Sequence, residues 1–159
     1  MSTPAWITEA RRYIGVREIP GVTHHPLILQ MWKAIKRGGI KDDETPWCAA
    51  FVGMCLENVG IVSTRFESAK SYLTWGQKLD GPVPGCIVVF TRDGGGHVGF
   101  LEGLTIDGRL LVLGGNQGNQ INIRAFPEDR VSGYRWPLSF PVPRVSLMVG
   151  DAMPSEGES

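Results

Sequence analysis

DDETPWCAAFVGMCLENVG, at residues 42–60, is the stretch on which the fold turns. Three acids followed by Thr45 and Pro46 form a helix start: negative charge suits the unpaired N–H groups there, and proline fits the first helical position. Phe51, Val52, Cys55, Leu56 and Val59 then recur at i, i+1, i+4, i+5 and i+8 before Gly60, so the spacing predicts a helix with an apolar stripe. Cys48 falls in its first turn. A cysteine attacks as thiolate, and a helix N-terminus favours negative charge, so the position suits a nucleophile. It also suits packing, because Cys48, Phe51, Cys55 and Val59 share one stripe and cysteine is among the most buried residue types.

Upstream, Thr3 and Pro4 read as a helix cap and first residue, and Trp6, Ile7, Ala10, Tyr13 and Ile14 follow at helical spacing until Gly15. Ile28, Met31, Trp32 and Ile35 mark another helix that ends at Gly38 and Gly39. Downstream of residue 80 the period changes. Short apolar runs at 86–91, 97–104, 110–113 and 120–126 are bounded by glycine and read as strands, with Asp107-Gly108 as a two-residue type I′ hairpin turn. Helices first and then an antiparallel sheet make an α+β domain with the nucleophile candidate at a helix N-terminus.

Composition agrees. Glycine supplies 21 of the 159 residues and proline 11, too many breakers for a helical bundle. The length fits a single domain, placed at 1–145, with the small and acidic residues 146–159 as a loose tail. Sixteen basic and sixteen acidic residues cancel, which removes the long-range field that nucleic-acid binding uses. There is no run of 18 apolar residues and no signal-peptide layout after Met1, so the expectation is a monomer made in the cytoplasm, without stable membrane insertion. Three cysteines without CxxC spacing indicate neither a disulfide framework nor a zinc ribbon.

A thiolate needs a base. His24 and His25 sit in a loop beside Pro26 and read as turn and cap residues. His97 follows three glycines and opens an apolar strand, which would hold it on a rigid element; a strand-end histidine bonded to backbone is the alternative. The base in turn needs an orienting partner on its other nitrogen, and Asn116, in the turn after the 110–113 strand, offers an amide oxygen. Asn in a glycine-rich turn also serves plain turn chemistry.

Trp6, GVREIPG at 15–21, DETPWCAAFV at 43–52, GCIVVF at 85–90, GHVGF at 96–100 and LGGNQ at 113–117 together resemble a phage-associated family of small peptidoglycan hydrolases in the CHAP and NlpC/P60 group of papain-like cysteine amidases and endopeptidases. The resemblance covers about residues 4 to 137. It implies a papain-like fold, no cofactor, and a triad of Cys48, His97 and Asn116 acting on bacterial peptidoglycan after release or delivery to the wall. Many CHAP enzymes carry an acid two positions before the Asn; here that position is Gly114. Another acid common in relatives is replaced by Cys86. Asp42, Asp43 and Glu44 lack the alternating pattern of a calcium loop and read as helix-start acids.

Trp47, Ser68, Tyr72, Trp75 and Gln117 are candidates to line a substrate groove, with packing as the other reading of the aromatics. Glu18 matches a recurrent family residue, for which a structural bond is an equal explanation. Two rivals belong to other classes: a zinc amidase using His24 or His25 with His97 and a cysteine, and an inert wall-binding module on the same fold. Phage lysis and delivery as an antibacterial toxin would use the same chemistry.

Overall fold

The computed structural model describes residues 3–18, 25–40, 46–92 and 95–143. The expected tail, His24, and the acids Asp42, Asp43 and Glu44 lie outside these residues. Three helices, α1 (Ala5–Arg11), α2 (Pro26–Ala34) and α3 (Cys48–Asn58), precede six strands: β1 (Gln77–Leu79), β2 (Ile87–Arg92), β3 (Gly95–Leu104), β4 (Leu110–Gly114), β5 (Asn122–Phe126) and β6 (Val131–Trp136). The α+β order expected from the change of period is therefore what the chain adopts. Two strands escaped the sequence reading. β1 has three residues, too few to show a period, and β6 is broken in pattern by Gly133.

α3 is the hub. Residues 48–56 are all buried, so the helix is enclosed on every side rather than along one stripe. α1, α2 and β3 all pack on it. Ring contacts fill the joints: Tyr13 and Phe100 each meet Phe51 edge-on, at 6.4 and 6.3 Å. Trp6 of α1 donates its indole N–H to the Gly85 carbonyl at 2.8 Å and stands edge-on to Trp136 of β6 at 5.3 Å. A residue in the first helix thus clamps the entry of β2 and the end of β6.

The sheet runs β1-β6-β2-β3-β4-β5, with every neighbouring pair antiparallel. In this order β5 and β6 are four spacings apart, roughly 19 Å in a flat sheet. Only residues 127–130 join them, and five extended steps reach at most about 18 Å. A 3-10 turn over Glu128–Arg130 shortens that reach further. The sheet has to curl, and it does: Phe126 at the end of β5 stacks on Phe90 of β2, with ring centres 4.9 Å apart. Irregular registers after Val89 and Leu101 supply local bends.

The β3–β4 turn differs from the type I′ expectation. Gly108 has φ +88°, while Asp107 is not among the residues with positive φ, and the Gly108 N–H bonds the Thr105 carbonyl at 3.0 Å. The Asp107 carboxylate accepts from the Thr105 hydroxyl and pairs with Arg109, which holds the wider loop.

The β4–β5 connection is fastened from both sides. Residues 15–18 run antiparallel beside it, with Gly15 N–H to Ile121 O at 2.8 Å, Ile121 N–H to Val16 O at 2.8 Å and Glu18 N–H to Asn119 O at 2.9 Å. On the other side, Gly115 lies so close to α3 that a Cβ there would stand 2.7 Å from Phe51 Cβ and 2.8 Å from Trp47 Cζ3. Gly115→Ala is accordingly expected to destabilise the protein by about 1–3 kcal/mol, measured as a lowered midpoint of denaturant unfolding.

Candidate active site

Cys48 is the first residue of α3, and the Trp47 carbonyl receives the opening helical bond from the Phe51 N–H at 3.0 Å. Among the described residues, neither a capping side chain nor a first-turn acid occupies this helix start. The three thiols differ in setting. Cys48 keeps 6% exposure, whereas Cys55 and Cys86 have 0%. Burial pushes the Cys86 thiol up to about 12 and holds that of Cys55 well above the ordinary range. Those two thiols stay protonated at neutral pH.

Trp47, beside the cysteine, is fully buried. Its indole N–H donates to Glu18 Oε1 at 3.1 Å, and the Glu18 backbone is bonded to Asn119. Glu18 therefore ties the start of α3 to the β4–β5 turn. This is the structural bond that its sequence position allowed.

His97 is 2% exposed on β3, opposite Phe90 of β2. Phe126 covers the imidazole face at 5.4 Å and 20°. The edge is held by a hydrogen bond of 2.8 Å between His97 Nε2 and Gln117 Oε1. The polarity of that bond follows from the rest of the carboxamide. Gln117 Nε2 donates to Val112 O at 3.2 Å, to Asn122 O at 2.9 Å and to Asn122 Oδ1 at 2.9 Å. Asn122 returns a bond from its Nδ2 to the Gln117 carbonyl at 3.1 Å. With its N–H groups committed to oxygens, Gln117 presents an acceptor to the ring, so His97 carries its hydrogen on Nε2.

The sequence expectation placed Asn116 as the orienter; the described bond at His97 Nε2 is made by the next residue, Gln117. Asn116 sits in the turn at φ +60°. Gly114 leaves room for the Gln117 bond. A Cβ on Gly114 would stand 3.3 Å from His97 Nε2 and directly against Gln117 Oε1. The place where many relatives project an acid is thus open, and the Gln117 side chain fills it. Asn122 and Phe126 were not anticipated; their spacing of four on one strand was the available signal, since residues i, i+2 and i+4 share a face.

The remaining groove candidates disperse. Trp47 and Tyr72 are fully buried and belong to the core, and burial raises the Tyr72 hydroxyl pKa. Trp75 donates to Val62 O at 3.0 Å and lines a cleft of about 400 Å³ with Ile61, Leu138 and Phe140. That cleft follows the C-terminal end of α3, about 16 Å of helix away from Cys48. Ser68 accepts from the Lys70 N–H at 3.2 Å to cap a 3-10 helix over Ala69–Thr74. This cap adjoins the site strand: a Cβ on Gly96 would stand 3.3 Å from Lys70 Cγ and 3.7 Å from Ala69 Cβ. His25 spends Nδ1 on the Leu27 N–H at 3.1 Å as the cap of α2, which is structural work rather than the ligand role of the zinc alternative.

Residues 40–116 match the family model of the CHAP domain. Among solved structures, the chain is similar to the peptidoglycan hydrolase RipB from Mycobacterium tuberculosis, with a TM-score of 0.53 and 16% identity over 86% of this chain. It spans 64% of the length of that chain. At such identity the likeness is one of fold. A comparison with curated proteins returned no match. The resemblance drawn from the motifs to the CHAP and NlpC/P60 group holds, as does the papain-like α+β fold class.

Two outcomes follow from the geometry. Iodoacetamide applied to the folded protein at pH 7 should alkylate Cys48 alone, with Cys55 and Cys86 modified only after denaturation, as peptide mapping will show. Gln117→Glu should lose about 1–3 kcal/mol in denaturant unfolding, because a carboxylate oxygen would face Val112 O, Asn122 O and Asn122 Oδ1 with no hydrogen to offer.

Proposed function

We propose that the chain is a peptidoglycan hydrolase that cleaves an amide bond of the wall peptide by a thiol mechanism with Cys48 as nucleophile, His97 as base and Gln117 as orienter. The observation that carries this reading is the fixed polarity of the Gln117–His97 hydrogen bond on a strand packed against α3, the helix that begins with Cys48. A carboxamide locked in this sense selects the one neutral tautomer whose Nδ1 can take a thiol proton. The CHAP match over residues 40–116 and the shared fold with a peptidoglycan hydrolase support the same reading.

In the proposed cycle the Cys48 proton passes to His97 Nδ1, and the sulfur attacks the amide carbonyl carbon. Negative charge collects on the carbonyl oxygen, where the backbone N–H of Cys48 at the helix start can hold it. Collapse of the adduct breaks the C–N bond, and the imidazolium gives its proton to the departing amine. Water then attacks the thioester, with His97 again accepting a proton, and releases the acid and the free thiol. Gln117 bonds Nε2–H throughout and steadies the imidazolium as its charge appears. Because a neutral amide does this, the imidazolium gains less than it would from the acid that many relatives carry at the position of Gly114.

Cys48→Ala and His97→Ala should each abolish the release of soluble fragments from purified peptidoglycan; full activity in a folded Cys48→Ala protein would falsify the mechanism. Gln117→Ala should lower kcat by about 10²-fold or more, and by more than Asn116→Ala does. Mass spectrometry of the fragments then separates cleavage beside the sugar from cleavage within the peptide.

A further inference from the structure

On β5 the alternation of side chains puts Asn122, Arg124 and Phe126 on one face. The two outer members touch the site, Asn122 through Gln117 and Phe126 through the His97 ring. Arg124 lies between them. Its guanidinium rests on the backbone of Gly118, the residue after Gln117: a Cβ there would stand 2.6 Å from Arg124 Nη2 and 3.1 Å from Cζ. Glycine at φ +67° leaves that surface open.

The guanidinium lacks the carboxylate partner that five other arginines have. Arg11, Arg12, Arg37, Arg65 and Arg109 each pair with a carboxylate. Arg124 is half-buried, its Nε is buried with no hydrogen-bond partner, and no carboxylate reaches it among the described residues. A cation partly withdrawn from water and left without an anion is an unfavourable arrangement, relieved when a ligand brings one. The fork of N–H donors matches a carboxylate in two-point fashion.

We infer that Arg124 is a carboxylate-binding subsite that selects wall peptides bearing a free carboxylate on the His97–Gln117 side of the bond to be cut. This deepens the hydrolase reading and rests on it. The subsite discriminates between peptides whose acid groups are free and peptides in which they are amidated, because the amide carries no charge for the guanidinium to meet. It acts in binding and leaves the chemistry to Cys48 and His97.

The test uses the full chain with Cys48→Ala, which binds without turnover, and two probes: a synthetic stem tetrapeptide with its carboxylates free and the same peptide with every carboxylate amidated. Calorimetry should show the free acid bound about tenfold or more tightly than the amide. Arg124→Gln should erase that preference, and Arg124→Lys, which keeps the charge and loses the fork, should restore part of it. In the active protein, Arg124→Gln should raise KM for the free acid with kcat little changed. Equal affinity for the two peptides in the Arg124 protein, or an undiminished preference in Arg124→Gln, overturns the subsite while leaving the hydrolase reading standing. If Arg124→Gln does not fold, an undiminished preference in Arg124→Lys overturns it instead. Binding of neither peptide, with no cleavage of peptidoglycan, overturns both.

Discussion

The short link between β5 and β6 governs much of what this domain can do. Residues 127–130 are too few to join these strands across a flat sheet, so the sheet curls until the end of β5 meets β2. That closure brings Phe126 over the His97 ring, and it turns the whole face of β5 toward the site. Within the β4–β5 hairpin Asn122 holds the Gln117 carboxamide, and Arg124 lies on the same face of β5 between Asn122 and Phe126. A sheet of the same strands left open would keep His97 on β3 and Gln117 in the β4–β5 hairpin but would lose the Phe126 cover.

Within that frame the direction of one carboxamide fixes which ring nitrogen of His97 bears the hydrogen. Gln117 has two amide hydrogens facing three oxygens, so reversing it would set oxygen against oxygen at Val112 and Asn122. An unmet buried acceptor costs more than a made bond contributes, which is why the orientation is firm. Gly114 makes the arrangement spatially possible by leaving empty the volume that Gln117 enters. Gly115 matters differently, since it lets the same turn approach Trp47 and Phe51 at the head of α3. Adjacent glycines thus pack against two different elements, Gly114 beside His97 and Gly115 beside the start of α3.

Some of this was legible in residue order and some was not. α3 and the place of Cys48 in it follow from capping types, proline and apolar spacing, which act over a few residues. β2 to β5 show as short apolar runs between glycines. The ends shift by a residue or two, as with α3, which starts at Cys48 although Thr45 and Pro46 suggested an earlier beginning. Strands β1 and β6 were missed because three residues, or six with a central glycine, carry no readable period. Trp47 and Tyr72 were offered as groove lining, but whether an aromatic is covered depends on elements far away in the chain.

The sequence by itself determined the α+β order, a helix with Cys48 in its first turn, the strand that carries His97 and the glycine-rich turn after β4, because each rests on local backbone preferences. Only the tertiary structure decided that Gln117 meets the imidazole at Nε2. Residue 116 and residue 119 both have positive φ, and side-chain directions in such a turn depend on what it packs against: residues 15–18 on one side, α3 on the other, and Asn122 on the next strand. Spacing along the chain names the residues within reach of a site, whereas the contacts that select among them come from segments that meet only in the folded chain.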